Sequence, residues 1–150
     1  MSDTKKHTPV LVVILLLLTA VSWIVWPFIE AITDGGNTFR RRAEVDINNI
    51  AAALSQYKTL CNQMPQGDNA AVFRALMSSN SAGYIFLEAR RTNELGEMLD
   101  PWKTPYKFEF NDNDKANPVI RSAGEDQKFS TEDDLVFDLI KRDFIQEPKK

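Results

Sequence analysis

Glu125, Asp126, Glu132, Asp133 and Asp134 crowd into one short stretch between two apolar runs. Like charges that close repel one another unless water solvates them or a cation holds them. Two readings follow. One is a solvated acidic turn. The other is a calcium loop, because calcium takes about six to eight oxygen ligands and accepts backbone carbonyls beside carboxylates. In that reading Asp126 and the Asp133–Asp134 pair close the loop around one ion. Neither this stretch nor Asp112-Asn-Asp114 has the D-x-[DN]-x-[DN]-G order of an EF-hand.

Other chemistry is scarce. The only histidine, His7, stands in the N-terminal leader, and the only cysteine is Cys61. A Ser-His-Asp triad, a His-based acid/base pair and a His-rich or thiol-rich zinc site therefore have no residues in the globular part. No glycine-rich phosphate loop and no nucleophile–base pair is present, so no catalytic or cofactor-binding residue is assigned and the chain reads as a non-enzyme. A single cysteine allows no internal disulfide and fits either side of a membrane. The net charge of −3 and pI of about 5.2 give no basic face for nucleic acid.

The elements that must position the acidic loop are legible from pattern. From Arg41 to about Asn62, Ile47, Ile50, Leu54, Tyr57 and Cys61 recur at three- and four-residue steps, one apolar stripe on a helix. The stripe suits packing on the domain's own sheet and makes Cys61 a buried thiol. Pro65 ends that helix. Asp68 is placed as the N-cap of a short second helix carrying Val72, Phe73, Leu76 and Met77. Tyr84-Ile-Phe-Leu87 reads as a strand or a buried extended segment. Asp100-Pro-Trp-Lys-Thr-Pro-Tyr106 is a rigid turn, and Tyr106-Lys-Phe-Glu-Phe110 alternates as a half-buried strand does. Asn111 to Asp114 is a turn. Val119-Ile-Arg-Ser122 and Leu135-Val-Phe137 are two further strands bracketing the acidic loop. Lys141 to Lys150 is a charged tail expected to fray.

Val10 to Phe28 carries no charge and is long enough, as a helix, to cover most of a hydrocarbon layer about 30 Å thick. Trp23 and Trp26 suit the headgroup level at its far end. Ala20-Val21-Ser22 would suit signal-peptide cleavage, but the apolar run continues through Ile29, which favours a retained anchor. Charge leaves orientation open: Lys5 and Lys6 flank one end and Arg40, Arg41 and Arg42 follow the other. Thr33-Asp-Gly-Gly-Asn-Thr38 reads as a break between anchor and domain, because two glycines weaken a helix.

Leu99-Asp-Pro-Trp-Lys-Thr-Pro-Tyr106, followed by an alternating strand, and Ser122-Ala-Gly-Glu-Asp126 before Thr131-Glu-Asp-Asp-Leu135, form a specific combination. It resembles the major pseudopilin (G-type) family of the type II secretion system, over about residues 43 to 137. The resemblance implies an α+β fold, a long N-terminal helix packed on a small antiparallel β-sheet. It implies that the acidic loop binds calcium, with Asp126, Asp133 and Asp134 as side-chain ligands. It also implies a cytoplasmic N-terminus, a periplasmic domain, and other pseudopilin-like subunits as partners.

The sequence departs from that pattern at Lys5-Lys-His-Thr-Pro-Val10, which has no Gly followed by an aromatic. Glu30 comes after the apolar run, not near its start, and Lys103 and Gln127 stand where the family often has glycine. The anchor is accordingly expected to stay uncleaved. The organisation expected is a cytoplasmic leader over 1–9, a transmembrane helix over 10–29 in the inner membrane, and a linker over 30–42. A globular domain follows over 43–140, with the tail over 141–150. The function expected is a structural subunit or accessory of a secretion or pilus-like apparatus. The alternative is a stand-alone, membrane-tethered extracytoplasmic binding module with the same fold.

Overall fold

The computed structural model describes residues 8–78, 80, 82–111 and 114–145; side chains are described at 21, 25 and 29 and from 37 onward, except at 111 and 114–116. Helix α1 runs from Thr8 to Cys61 and helix α2 from Asn69 to Met77. Strands β1 (Lys107–Asn111), β2 (Asp114–Ser122), β3 (Leu135–Asp138) and β4 (Asp143–Ile145) form one sheet in the order β1-β2-β3-β4, every pair antiparallel. The chain divides into two compact units, Met1–Thr38 and Phe39–Lys150. The fold of the second unit is the α+β arrangement expected.

The apolar stripe of α1 is the organising surface. Ala43, Ile47, Ile50, Ala51, Leu54 and Tyr57 are buried, in one core with Phe73 and Leu76 of α2 and Phe108, Ile120, Leu135 and Phe137 of the sheet. Cys61, at the stripe's end, is only partly buried. Helix α2 starts as its sequence requires: Asp68 accepts the Ala71 amide at 2.8 Å. Tyr84 to Leu87 forms no strand; the Phe86 and Leu87 amides donate to the Leu76 carbonyl, Leu87 is buried, and Tyr84 and Ile85 face solvent.

Register separates the two faces of the sheet. Phe108, Ile120, Phe137 and Phe144 lie opposite one another across the four strands and face the core. Because side chains alternate along a strand, Lys107, Arg121, Val136 and Ile145, aligned one position along, share the other face. The loop between β2 and β3 attaches on that second face, through Asp134 to Arg121 and through the Phe129 ring 5.5 Å from Lys107 Nζ.

Two local expectations are corrected. Helix α1 continues through Gly35 and Gly36 without a break. Glycine costs about 1 kcal/mol against alanine in a helix but retains helical φ and ψ, so the pair weakens a helix without ending it. The tail does not fray from residue 141. Asp143–Ile145 pairs with β3, and the Phe144 ring packs edge-on to Phe137 at 5.2 Å. Two apolar residues among charges supply the anchoring that the overall charge of the segment conceals.

Among the described residues no helix is long and apolar enough to cross a membrane. The side chains of the expected span over 10–29 lie outside the described residues, apart from the exposed Val21, Val25 and Ile29. The leader before Thr8 and residues 146–150 also lie outside them.

Candidate metal centre

The loop from Ala123 to Asp134 hangs between two strand ends that the core holds fixed. At its root Ser122 is fully buried, and its hydroxyl donates to Asp100 Oδ2 at 2.7 Å. The other Asp100 oxygen accepts the amides of Trp102 and Thr104 at 3.0 and 2.9 Å. One buried carboxylate thus shapes the Asp100–Tyr106 turn and clamps it to the end of β2. Burial pushes the Asp100 carboxyl above its ordinary value, against the hydrogen bonds from Ser122, Thr104 and Trp102.

Gly124 makes the loop's first bend with φ +69°, and a Cβ there would stand 2.6 Å from the Asp133 carbonyl oxygen and inside contact with its carboxylate. Both the dihedral and the space exclude a side chain. Asp133 therefore closes directly over the glycine, where its Oδ2 accepts the Asp126 amide at 2.9 Å. The Asp126 carboxylate turns back to accept the Lys128 amide at 2.8 Å, and Asp134 Oδ2 accepts the Ser130 amide at 2.8 Å.

The three sequence-predicted residues come together on one atom. The Thr131 hydroxyl stands 2.7 Å from Asp133 Oδ1, and 3.3 Å from both Asp126 Oδ1 and Asp134 Oδ1. A hydroxyl has one proton to donate. It can satisfy one of those carboxylates, and Asp133 is the nearest. Glu125 and Glu132 are exposed. Burial pushes the Asp133 carboxyl up. The Asp126 amide and the Thr131 hydroxyl outweigh that effect and hold it below its ordinary value, ionised at neutral pH.

The donor set is one that a hard cation prefers: carboxylate oxygens, a hydroxyl, and the Lys128 carbonyl 3.0 Å from that hydroxyl. The arrangement is nevertheless closed on Thr131, and among the described residues no group of three or more His, Cys, Asp or Glu is placed to hold a metal ion. Both facts are consistent, because three oxygens that converge on a hydroxyl are not yet three oxygens that converge on an open point. The oxygens are of the chemical kind that calcium takes, and their grouping is centred on the Thr131 hydroxyl.

One participant has no counterpart in the sequence reading. Arg121 sits on β2 with its guanidinium buried, Nη1 2.9 Å from Asp134 Oδ2 and Nη2 3.2 Å from Glu109 Oε2. Glu109 also meets Lys107 at 3.1 Å. Burial raises the Glu109 carboxyl, and Arg121 with Lys107 more than reverses that, leaving it below its ordinary value. The available signal was a charge directly after the apolar Val119 and Ile120.

A separate cleft of about 420 Å³ is lined by Arg42, Asp46, Arg90, Arg91, Met98 and Leu99. Beneath it the buried Tyr106 donates to Asp46 Oδ2 at 3.2 Å. Burial raises the Asp46 carboxyl, and burial together with the Asp46 charge raises the Tyr106 phenol.

The family model described as type II secretion system (T2SS), protein G, matches residues 31–137, more than half of the chain and all of the acidic loop. No curated protein matches. Among solved structures, the major pseudopilin from the type 2 secretion system of enterohaemorrhagic Escherichia coli is similar at 22% identity. That likeness covers 70% of this chain and 90% of the other, with a TM-score of 0.46.

Proposed function

We infer that this chain, which belongs to the type II secretion system protein G family, is a structural subunit of a type II secretion apparatus, built to assemble with other pseudopilin-like subunits. The observation that carries the inference is the family match through the Asp100–Tyr106 turn and the acidic loop, the two most distinctive segments of the chain. The role is mechanical: the chain supplies surfaces for association and carries out no turnover of its own. The apolar stretch over 10–29 anchors it in the inner membrane, and the domain lies on the extracytoplasmic side. Support for the anchor is the uncharged run itself, which precedes the matched residues.

Calcium belongs to the same reading. Asp126, Asp133 and Asp134 would hold the ion, each through the oxygen that meets Thr131. The ion would supply positive charge on the side of the loop where the inward oxygens of the three carboxylates meet one hydroxyl. The chain's own residues do the positioning: Gly124 lets Asp133 approach, and the Asp126 and Ser130 amides fix the outward oxygens. A ligand that binds only the folded state adds about 2.7 kcal/mol at a hundredfold excess over Kd. For a domain of this size each 1 kcal/mol raises Tm by roughly 4–8 °C.

The test has two arms on the full chain. Photo-crosslinking groups placed at exposed positions of the domain should give ladders of the chain with itself in membranes of its own host. A single monomeric band under efficient crosslinking would favour the stand-alone tethered module. In detergent micelles, millimolar calcium should raise Tm over excess chelator, and Asp126→Ala or Asp134→Ala should remove the rise. An unchanged Tm in the parent would leave the loop a solvated acidic turn.

A further inference from the structure

Arg121 lies outside the acidic loop and yet is bound into it. Its side chain is 4% exposed, the Asp134 side chain it meets is 3% exposed, and the pair is 2.9 Å apart. A buried guanidinium needs a carboxylate close by, and a buried carboxylate a cation, because each alone would bear a desolvation cost that nothing returns. Asp134 Oδ2 is thus already committed to Arg121 and to the Ser130 amide. Only Oδ1 turns to the side where Asp126, Asp133 and Thr131 meet. The register explains why the contact is fixed: Arg121 pairs with Val136 on the sheet face opposite the core, and Asp134 enters β3 just before Leu135.

We propose that Arg121 is a resident cation of this loop, which holds the Asp133–Asp134 end closed without metal and lowers the loop's affinity for any divalent cation that shares Asp134. The second half of this statement rests on the calcium reading above; the first half stands without it. Two cations on opposite oxygens of one carboxylate repel across a few ångströms. The Arg121–Asp134 contact is buried, so salt screens the guanidinium's share of that repulsion incompletely. Arg121 also bridges Asp134 to Glu109, so the loop is tied to β1 as well as to β2. The guanidinium fork suits this double task because its two terminal nitrogens reach two carboxylates at fixed angles.

The experiment uses the full chain in detergent micelles. It compares the parent with Arg121→Gln combined with Glu109→Gln, which removes one charge of each sign and orphans no Glu109, and with Arg121→Lys. Amide exchange at Asp126 and Ser130 in excess chelator reads the metal-free loop, and titration calorimetry with calcium chloride reads affinity. In chelator the double variant should exchange at both amides about tenfold faster or more, while its calcium Kd falls on the order of tenfold. Arg121→Lys keeps the charge and loses the fork, so its Kd should stay within about threefold of the parent's. A double variant folded only with calcium also supports the proposal. Unchanged exchange in chelator, or calcium affinity equal to or weaker than a calcium-binding parent's, overturns it. If neither parent nor variant binds calcium, the calcium reading fails. The exchange result then decides alone, lost protection upholding the resident cation and retained protection refuting it.

Discussion

Lys103 and Gln127 hold φ of +77° and +59°, the left-handed region in which a Cβ crowds the backbone. These are the two positions at which the resemblance in the sequence implied glycine. The cost of a non-glycine residue there is about 1–2 kcal/mol, offset by about 0.5–1 kcal/mol that glycine loses in unfolded-chain entropy. Lys103→Gly and Gln127→Gly should therefore each stabilise the domain by about 0.5–1 kcal/mol, read as a Tm rise. Gly124→Ala should do the reverse by about 2 kcal/mol or more, because strain and overlap with Asp133 add. Two carboxyls should give opposite pH effects. The Asp133 carboxyl lies below its ordinary value of 3.8, so its contribution is present above that pH and is lost as pH falls through the lower folded value. Asp100 lies above 3.8. Its contribution is complete below 3.8 and is lost as pH rises through the higher folded value. Denaturant titrations of Asp133→Asn and Asp100→Asn across that range should each lose one slope, of opposite sign. The Asp126, Asp133 and Asp134 grouping was legible because three acids in one loop need a common solution. Thr131 at its centre was not, because nothing in a single threonine distinguishes a bridging hydroxyl from a solvated one.

At the scale of elements, periodicity carried the most information. The three- and four-residue steps from Ile47 to Tyr57 mark the buried face of α1, and Asp68 marks the start of α2. Strand β1 alternates over Lys107 to Phe110 as its half-buried position requires. Where one local signal opposed a global one, the local signal misled: the glycine pair within α1 and the charges around Phe144 both belong to regular structure. The role of Arg121 is not legible in the sequence, because a strand pattern records which face a residue takes and not what a distant loop lays over it. The strand-forming role of Phe144 has a measurable size. Phe144→Ala should cost about 1–2 kcal/mol, less than the roughly 3–5 kcal/mol of a fully buried phenylalanine, because Phe144 is only partly covered. Amide exchange at Ile145 should rise well before global unfolding if β4 detaches first.

For the whole molecule, a core built on one long helix, an acidic loop tied to the sheet by Arg121, and a buried Asp100 that clamps the neighbouring turn to the end of β2 are features that hold shape. Membership of the type II secretion protein G family gives that shape its setting. The most direct measurement of the central claim is export of type II secretion substrates by the host after deletion of this chain. It should be compared with the same strain carrying the full chain in trans. Loss of export on deletion, restored by the parent chain and not by Gly124→Ala, is the result predicted. Undiminished export in the deletion strain, with no other protein G subunit present to substitute, would contradict it.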